Sequence, residues 1–373
     1  MTQLASLTKL LPTYARLDVT FTDGEGSYLI DAEGKRYLDL FAGIAVVGLG
    51  HRHPAPLAAA QAQLERLWHV SNLYFTEPMQ ELAQKLSDRF GGSQAFFCNS
   101  GAESIEAALK WARKATGRSE IVALEGSFHG RTFGALSVTG QPEKRAAFEP
   151  LVPGAVFATQ ETLADHVGPQ TAAILLEPVQ GEGGVHPLSP AVLAQARALA
   201  DRHGALLILD EVQTGVGRSG EFFAWQRLGV KPHAVTLAKG LANGLPIGAL
   251  LVADDAPTGF EPGDHASTFG GNPVACAAAC AVVDTVDDAL LEHVRSISDL
   301  LAAGLSQFGE VRGLGLLLAV ELDTPAWPVV EAALEHGLVL GSAGERTLRL
   351  TPPLTISASE VAQAITLLTE VLA

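Results

Sequence analysis

The stretch ALLILDEVQTGVGRSG, residues 205–220, ends in a G-x-G-x-x-G formed by Gly215, Gly217 and Gly220. It begins with an apolar run that reads as a strand buried on both faces. A dinucleotide-binding turn has that glycine spacing. Such a turn, however, follows its strand directly, opens a helix, and has an acidic residue about 20 positions later. Here Asp210, Glu211, Val212, Gln213 and Thr214 intervene, and no acid occurs between Glu221 and Asp254. The context rejects the fingerprint. What the stretch does place at the carboxyl end of a strand is Asp210, and open α/β sheets bind ligands there. On this stretch alone, an acid that merely ends a strand explains Asp210 equally well.

The rest of the chain bounds the answer. Its 373 residues suffice for two to three domains by the usual length prior, and 47% hydrophobic with 18% charged residues is a globular composition. The net charge of −16 argues against a nucleic-acid partner, which needs a basic face. An anionic ligand would have to be held by local arginines or helix ends against that field. Cys98, Cys276 and Cys280 form no disulfide framework. Cys276 and Cys280, four apart, would share one helix face as small apolar packing, and no metal site is expected. Neither a signal segment nor an apolar run of roughly 20 residues is visible, so a cytoplasmic protein away from membranes is expected. His51 and His53 in GHRHP read as a turn or helix entry.

Alternation along the chain predicts α/β architecture. SYLIDAEGKRYLDL reads as a hairpin after an irregular lead. HPAPLAAAQAQLERLW, MQELAQKLSDRF, ESIEAALKWARKA and SPAVLAQARALADRHG read as helices. QAFFC, EIVAL, TAAILLE, ALLILD, AVTLA and GALLVA read as buried strands. VRGLGLLLAVEL suggests further strands, and a last helix starts near Ser357.

Two more stretches carry chemistry. In CNSGAESIEAALK, residues 98–110, a strand leads through Asn99, Ser100 and Gly101 into a helix. Ser100 and Glu103 have capping-box spacing. The same helix start offers free N–H groups to a phosphate, and Gly101 lets it come close. In VTLAKGLANGLPIG, residues 235–248, Lys239 ends an apolar strand. A lysine in apolar surroundings loses its proton readily, and the neutral amine is the form that makes a Schiff base. A phosphate cradle, a strand-end Asp for a ring nitrogen and an imine-forming lysine are together the equipment for pyridoxal 5'-phosphate (PLP).

At this point the chain resembles a family over essentially its whole length: the class III, fold type I PLP-dependent aminotransferases, in the ornithine and acetylornithine group. ILDEVQTGVGRSG followed by TLAKGLANGLPIGA carries the resemblance, with NSGAESIEAALK, GSFHGRT, LEPVQGEGG, STFGGNP and LRLTPPL in the same order. The resemblance implies a large domain with a central, mostly parallel sheet over 46–272, and a smaller α+β domain from 1–45 and 273–373. It implies that Ser100, Gly101 and Ala102 bind the PLP phosphate. Phe128 and Val212 would pack on the two ring faces, Asp210 on the ring nitrogen and Gln213 near the ring hydroxyl. Lys239 would be the catalytic lysine. Thr268 would reach the neighbouring subunit's cofactor in a homodimer with shared sites.

Four residues, by the same resemblance, would bind substrate: Arg131, Ser267, Arg349 and Glu182. Arg131 would bind a substrate carboxylate, and Arg349 the α-carboxylate of 2-oxoglutarate or glutamate. Glu182 would pair with Arg349 when the amino donor brings no carboxylate there. Ornithine aminotransferases carry a tyrosine in the segment matching FAGIAVVGLGH, and Ile44 takes its place here, which favours an acylated amine as donor. Succinylornithine, carrier-bound lysine precursors, ornithine and 4-aminobutyrate are the alternative donors. A non-catalytic PLP protein should have lost Lys239 or Asp210, and both are present.

Overall fold

The six short apolar runs become strands of one seven-stranded sheet in a computed structural model that describes residues 9–373. In space the order is Ser93–Cys98, Gly248–Ala253, Ala234–Leu237, Leu206–Asp210, Thr171–Leu176, Glu120–Leu124 and Ala155–Ala158. Ala155–Ala158 is the strand the sequence patterning did not single out. All neighbours pair in parallel except Gly248–Ala253, which is antiparallel to both of its neighbours. The α/β fold with a mostly parallel sheet is therefore as expected. Thr171–Leu176 and Leu206–Asp210 are buried along their whole length, because helices cover both faces of the sheet.

Parallel strands deliver their carboxyl ends to one edge, and that geometry positions the site. Asp210 ends one strand, Glu177 follows its neighbour, and Lys239 comes two residues after the next. Leu209 stands opposite Leu176, so the two acids lie at the same level of the sheet.

The expected hairpin forms from Tyr28–Asp31 and Arg36–Asp39, and Leu338–Val339 extends it in parallel. The two ends of the chain thus share a sheet, and the first eight residues of the expected irregular lead lie outside the described residues. A second small sheet contains Glu310–Leu314, Leu317–Glu321, Thr347–Leu350 and Gly341–Ser342. The closing helix, Ala358–Leu372, begins at Ser357, whose hydroxyl accepts from the Glu360 amide as an N-cap. Cys276 and Cys280 are buried in the helix Pro273–Thr285, packed into the core that flanks the large sheet. Among the described residues, no helix is long and apolar enough to cross a membrane.

Gly217 and Gly220 lie against the C-terminal part of the chain, while Gly215 packs on Leu237 and the Glu211 carbonyl. A Cβ on Gly217 would lie 3.0 Å from Val286 and 3.1 Å from Leu354, and one on Gly220 would lie 2.8 Å from Arg295. Between these glycines Arg218 is buried and donates to the carbonyls of Leu316 and Pro352. The glycine-rich turn is a tight seam against the C-terminal part of the same chain.

Candidate active site

A cavity of about 400 Å³ opens at the carboxyl edge of the large sheet. Nine of the sequence-singled residues line it: Ser100, Gly101, Ala102, Phe128, Arg131, Asp210, Val212, Gln213 and Lys239. They come from four separate strand–loop junctions, brought together because parallel strands all end on the same side.

The helix Gly101–Thr116 points its first turn at this cavity. Ser100 caps it, accepting from the Glu103 amide at 3.2 Å, while the Glu103 carboxylate takes the Asn99 amide at 2.9 Å. Capping and cradle coexist. The Gly101 and Ala102 amides find no acceptor among the described residues, so they remain available to an anion at the helix's positive end. Gly101 is required for packing as well: a Cβ there would sit 2.8 Å from one methyl of Val212 and 3.0 Å from the other.

Asp210 is buried, and its two oxygens are fixed differently. Oδ1 accepts from the Val212 amide at 3.1 Å and the Thr236 hydroxyl at 3.2 Å. Oδ2 lies 2.7 Å from Nδ1 of His129, and Nε2 of that buried histidine has no partner. His129 went unremarked in the sequence although it sits inside GSFHGRT. Its signal was position: it follows directly on the residue expected to stack on a ring. Gln213 also has a buried oxygen without a partner. Buried polar atoms normally find partners, and because both residues line the cavity these two are available to a polar group bound there.

Lys239 lies just past its strand in a left-handed conformation, φ +44°. Non-glycine residues rarely adopt it, and such strain gathers at functional positions. Burial pulls the Lys239 ammonium down to about 8; Glu182 opposes this, Arg349 adds to it, and Asp210 and Glu177 oppose it more weakly. A substantial neutral fraction at ordinary pH suits a lysine that acts as nucleophile and base.

Glu177 is the second residue missed. Its carboxyl accepts from the Phe128 amide at 2.9 Å and the Gly181 amide at 3.4 Å, and burial pushes it up to about 7. The sequence held a signal: TAAILLE and ALLILD are the same pattern, an apolar strand closed by an acid, and they are neighbours in the sheet.

Glu182 and Arg349 meet as expected, with Arg349 Nη1 donating to Glu182 Oε1 at 2.5 Å. Arg349 is almost wholly buried, lies over the Phe41 ring at 5.3 Å, and keeps an unpartnered Nε. Burial raises the Glu182 carboxyl, but the Arg349 guanidinium outweighs it and leaves that carboxyl below the usual range. Phe41 leads into four successive left-handed residues, Ala42, Gly43, Ile44 and Ala45. The Asp39 carboxylate holds the start of that turn through the Phe41 and Ala42 amides, and its other oxygen takes His51 Nε2 at 2.8 Å. His53 caps the next helix, Pro54–Leu64, accepting from the Ala55 amide.

Ser267 and Thr268 are not brought into this cavity. Ser267 bonds Asn99 and the Gly270 amide, while Thr268 is exposed and lines a separate surface hollow with His69, Leu73 and Phe97. Around that hollow Leu73, Tyr74, Phe75 and Phe269 are largely exposed. Arg131, at the mouth of the main cavity, is exposed and lies 5.5 Å over the Phe128 ring.

The residues fit a phosphorylated pyridine aldehyde. The cavity offers free amides at a helix start, a buried carboxylate 2.7 Å from a histidine, a packing wall at Val212 and a lysine of lowered basicity. Residues 12–372 match the family described as aminotransferase class-III. An acetylornithine aminotransferase from Corynebacterium efficiens is 48% identical over 98% of this chain and 95% of its own length. A solved ornithine aminotransferase from Toxoplasma gondii, described with partial PLP occupancy at its active site, superposes with a TM-score of 0.93. Its identity is 31%, over 99% of this chain and 93% of that one. A solved N-acetylornithine aminotransferase from Stenotrophomonas maltophilia gives 0.83 at 34% identity, over 96% of each chain.

Proposed function

The chain belongs to the class-III aminotransferases, and from that premise we propose that it is a PLP-dependent acetylornithine aminotransferase. It moves the δ-amino group of N2-acetylornithine to 2-oxoglutarate, giving N-acetylglutamate 5-semialdehyde and glutamate, a step of arginine biosynthesis, by a ping-pong route. The observation that carries this reading is the pairing of buried Arg349 with half-buried Glu182, near enough to Lys239 for both charges to act on its ammonium. A pocket that must accept first an amine without a carboxylate there, then a dicarboxylate, needs a cation that can be neutralised from within. Glu182 neutralises Arg349 in the first half-reaction and yields it in the second.

PLP, when bound, supplies an electron sink in conjugation with the amine-bearing carbon of the substrate. The chain's own groups do the rest. The Gly101 and Ala102 amides, with Ser100, bind the phosphate. Asp210, oriented by His129, Thr236 and the Val212 amide, would face the ring nitrogen and favour its protonated form by direct charge attraction. Phe128 and Val212 would pack on the ring, and Gln213 would lie near its hydroxyl. Lys239 would hold the cofactor through its amine and would serve as the general acid and base that carries the proton. Arg131, at the mouth of the cavity, binds a substrate carboxylate, and Ser267, which lies off the cavity of its own chain, would reach substrate only from the partner's side of a dimer. Ile44, where a tyrosine would hold a free α-amino group, leaves an apolar wall suited to an acylated one.

This reading also takes the protein to be a cytoplasmic homodimer. The exposed apolar side chains around Thr268 support the dimer, since contiguous exposed apolar surface commonly marks an interface. Thr268 would then complete the partner's phosphate site. The body that binds PLP spans residues 46–272, and the smaller body takes 1–45 and 273–373, with the helix Pro273–Thr285 packed onto the larger one.

The test is an assay of the purified enzyme with acetylornithine, ornithine, succinylornithine and 4-aminobutyrate, each against 2-oxoglutarate. Acetylornithine should give the highest kcat/KM, and preference for free ornithine would overturn the assignment. Mixing Lys239→Ala with Thr268→Ala chains should create one site carrying both defects and one carrying neither. Activity that ignores the mixing would count against shared sites.

A further inference from the structure

Glu182 sits at the tip of a short turn whose base is the pairing of Val179–Gln180 with His186–Pro187. That turn is unusually constrained. On one side the Gly181 amide donates to Glu177. On the other, Arg312 Nε donates to the Gly184 carbonyl at 2.7 Å. The same guanidinium reaches Glu321 and the Thr347 hydroxyl, both at 2.9 Å, on the small sheet that also carries Arg349. Val185 is fully buried in that sheet's apolar cluster although its φ is +57°, a left-handed conformation that a β-branched residue adopts only when its surroundings enforce it.

We propose that Arg312 is a positioning residue for carboxylate exchange: by holding Gly184 it fixes the turn, so that Glu182 leaves and rejoins Arg349 through side-chain rotation alone. The inference rests on the exchange reading of Glu182 and Arg349 given above. A pinned turn keeps the displaced carboxylate within reach, so the pair re-forms as soon as the dicarboxylate departs. A freed turn lets Glu182 wander, which leaves Arg349 uncompensated when the amino donor binds and open when a dicarboxylate binds.

The two half-reactions therefore respond in opposite directions. In the PLP-loaded enzyme, Arg312→Lys keeps a cation beside Glu321 but cannot make all three of the guanidinium's contacts. It should tighten binding of glutarate, a dicarboxylate probe without a keto group, by about three- to tenfold in calorimetry, within the span of a lost charge-assisted hydrogen bond. Single-turnover kcat/KM for the amino donor should fall by a similar factor, and the 2-oxoglutarate half-reaction should not slow. Arg312→Ala should do the same more strongly. Glu182→Ala serves as the reference and should tighten glutarate by more than either. If Glu182→Ala leaves glutarate binding unchanged, the exchange reading itself fails. If Glu182→Ala responds but both Arg312 variants do not, or both half-reactions fall together, Arg312 is a structural residue and this inference fails alone.

Discussion

The cavity wall that carries Asp210 and Lys239 and the neighbouring wall formed by Glu182 and Arg349, which lie outside the cavity's own lining, are built in opposite ways. The first is assembled from carboxyl ends of neighbouring strands in one buried sheet, and its carboxylate is held by hydrogen bonds from three separate segments. The second joins a turn beside the large sheet to a strand of a small one, 167 residues apart, through a single ion pair. Preorganisation is worth most where charge develops in every turnover, and exchange is needed where two substrates of different charge take turns. The cofactor wall should thus respond to substitution by losing chemistry, and the carboxylate wall by losing discrimination.

The largest effect should come from Lys239→Ala, which removes both nucleophile and proton carrier. A loss of kcat of about 10⁴-fold or more is expected for both half-reactions. Asp210→Asn keeps shape but loses the charge, and should lower kcat by about 10²–10³-fold with a small change in KM. An Asp210→Asn enzyme with near-normal kcat would break the contrast. Arg349→Lys should instead raise KM for 2-oxoglutarate by about 100-fold, since a point charge does not replace a planar fork on a carboxylate. Its kcat with the amino donor should move far less. Equal damage to both substrates would show that the two walls are one mechanical unit.

A pair of glycines sharpens the comparison at smaller amplitude. A Cβ on Gly101 would press on Val212, and a Cβ on Gly341 would lie 2.0 Å from the Phe41 ring that supports Arg349. Overpacking of this kind costs about 1–3 kcal/mol. Gly101→Ala should weaken PLP binding by about tenfold and leave the 2-oxoglutarate KM alone in the loaded enzyme. Gly341→Ala should do the reverse. Equilibrium titration with PLP and steady-state kinetics separate the two.

The same contrast governs what the sequence made legible. Strand ends are local: an apolar run, then Asp210 or Lys239, then a loop, can be read from a few residues, and the parallel sheet carries them to one edge. The Gly101 cradle was legible for the same reason. Glu182 and Arg349 entered only through likeness to a family, because nothing in GEGG or LRLTPPL announces that the two touch. Glu177 and His129 were hidden differently. Both look like ordinary polar residues until burial shows that each lacks water to solvate it. Arg312 had no local signal at all, since its partner Gly184 is a backbone carbonyl 128 positions away. Ser267 and Thr268 lie off the cavity of their own chain, so no strand end of the large sheet announces them.

The smallest expected effect is a pH dependence that tests whether the cofactor wall is formed before PLP arrives. Capture of PLP by the apoprotein requires the neutral amine of Lys239. With burial holding its ammonium near 8 instead of 10.5, the neutral fraction rises about fivefold between pH 7 and 8 and less than about twofold above 8.5. The capture rate, followed by absorbance in stopped flow at saturating phosphate-site occupancy, should rise and then flatten over that range. An ordinary exposed lysine would keep rising about tenfold per pH unit up to pH 10. A rate that climbs without a bend would mean that the apolar enclosure of Lys239 forms only around the bound cofactor. The left-handed backbone at Lys239 would then be a feature of the loaded enzyme. A bend near 8 places the lowered basicity in the fold itself, set by the strand end and the loop that follows it.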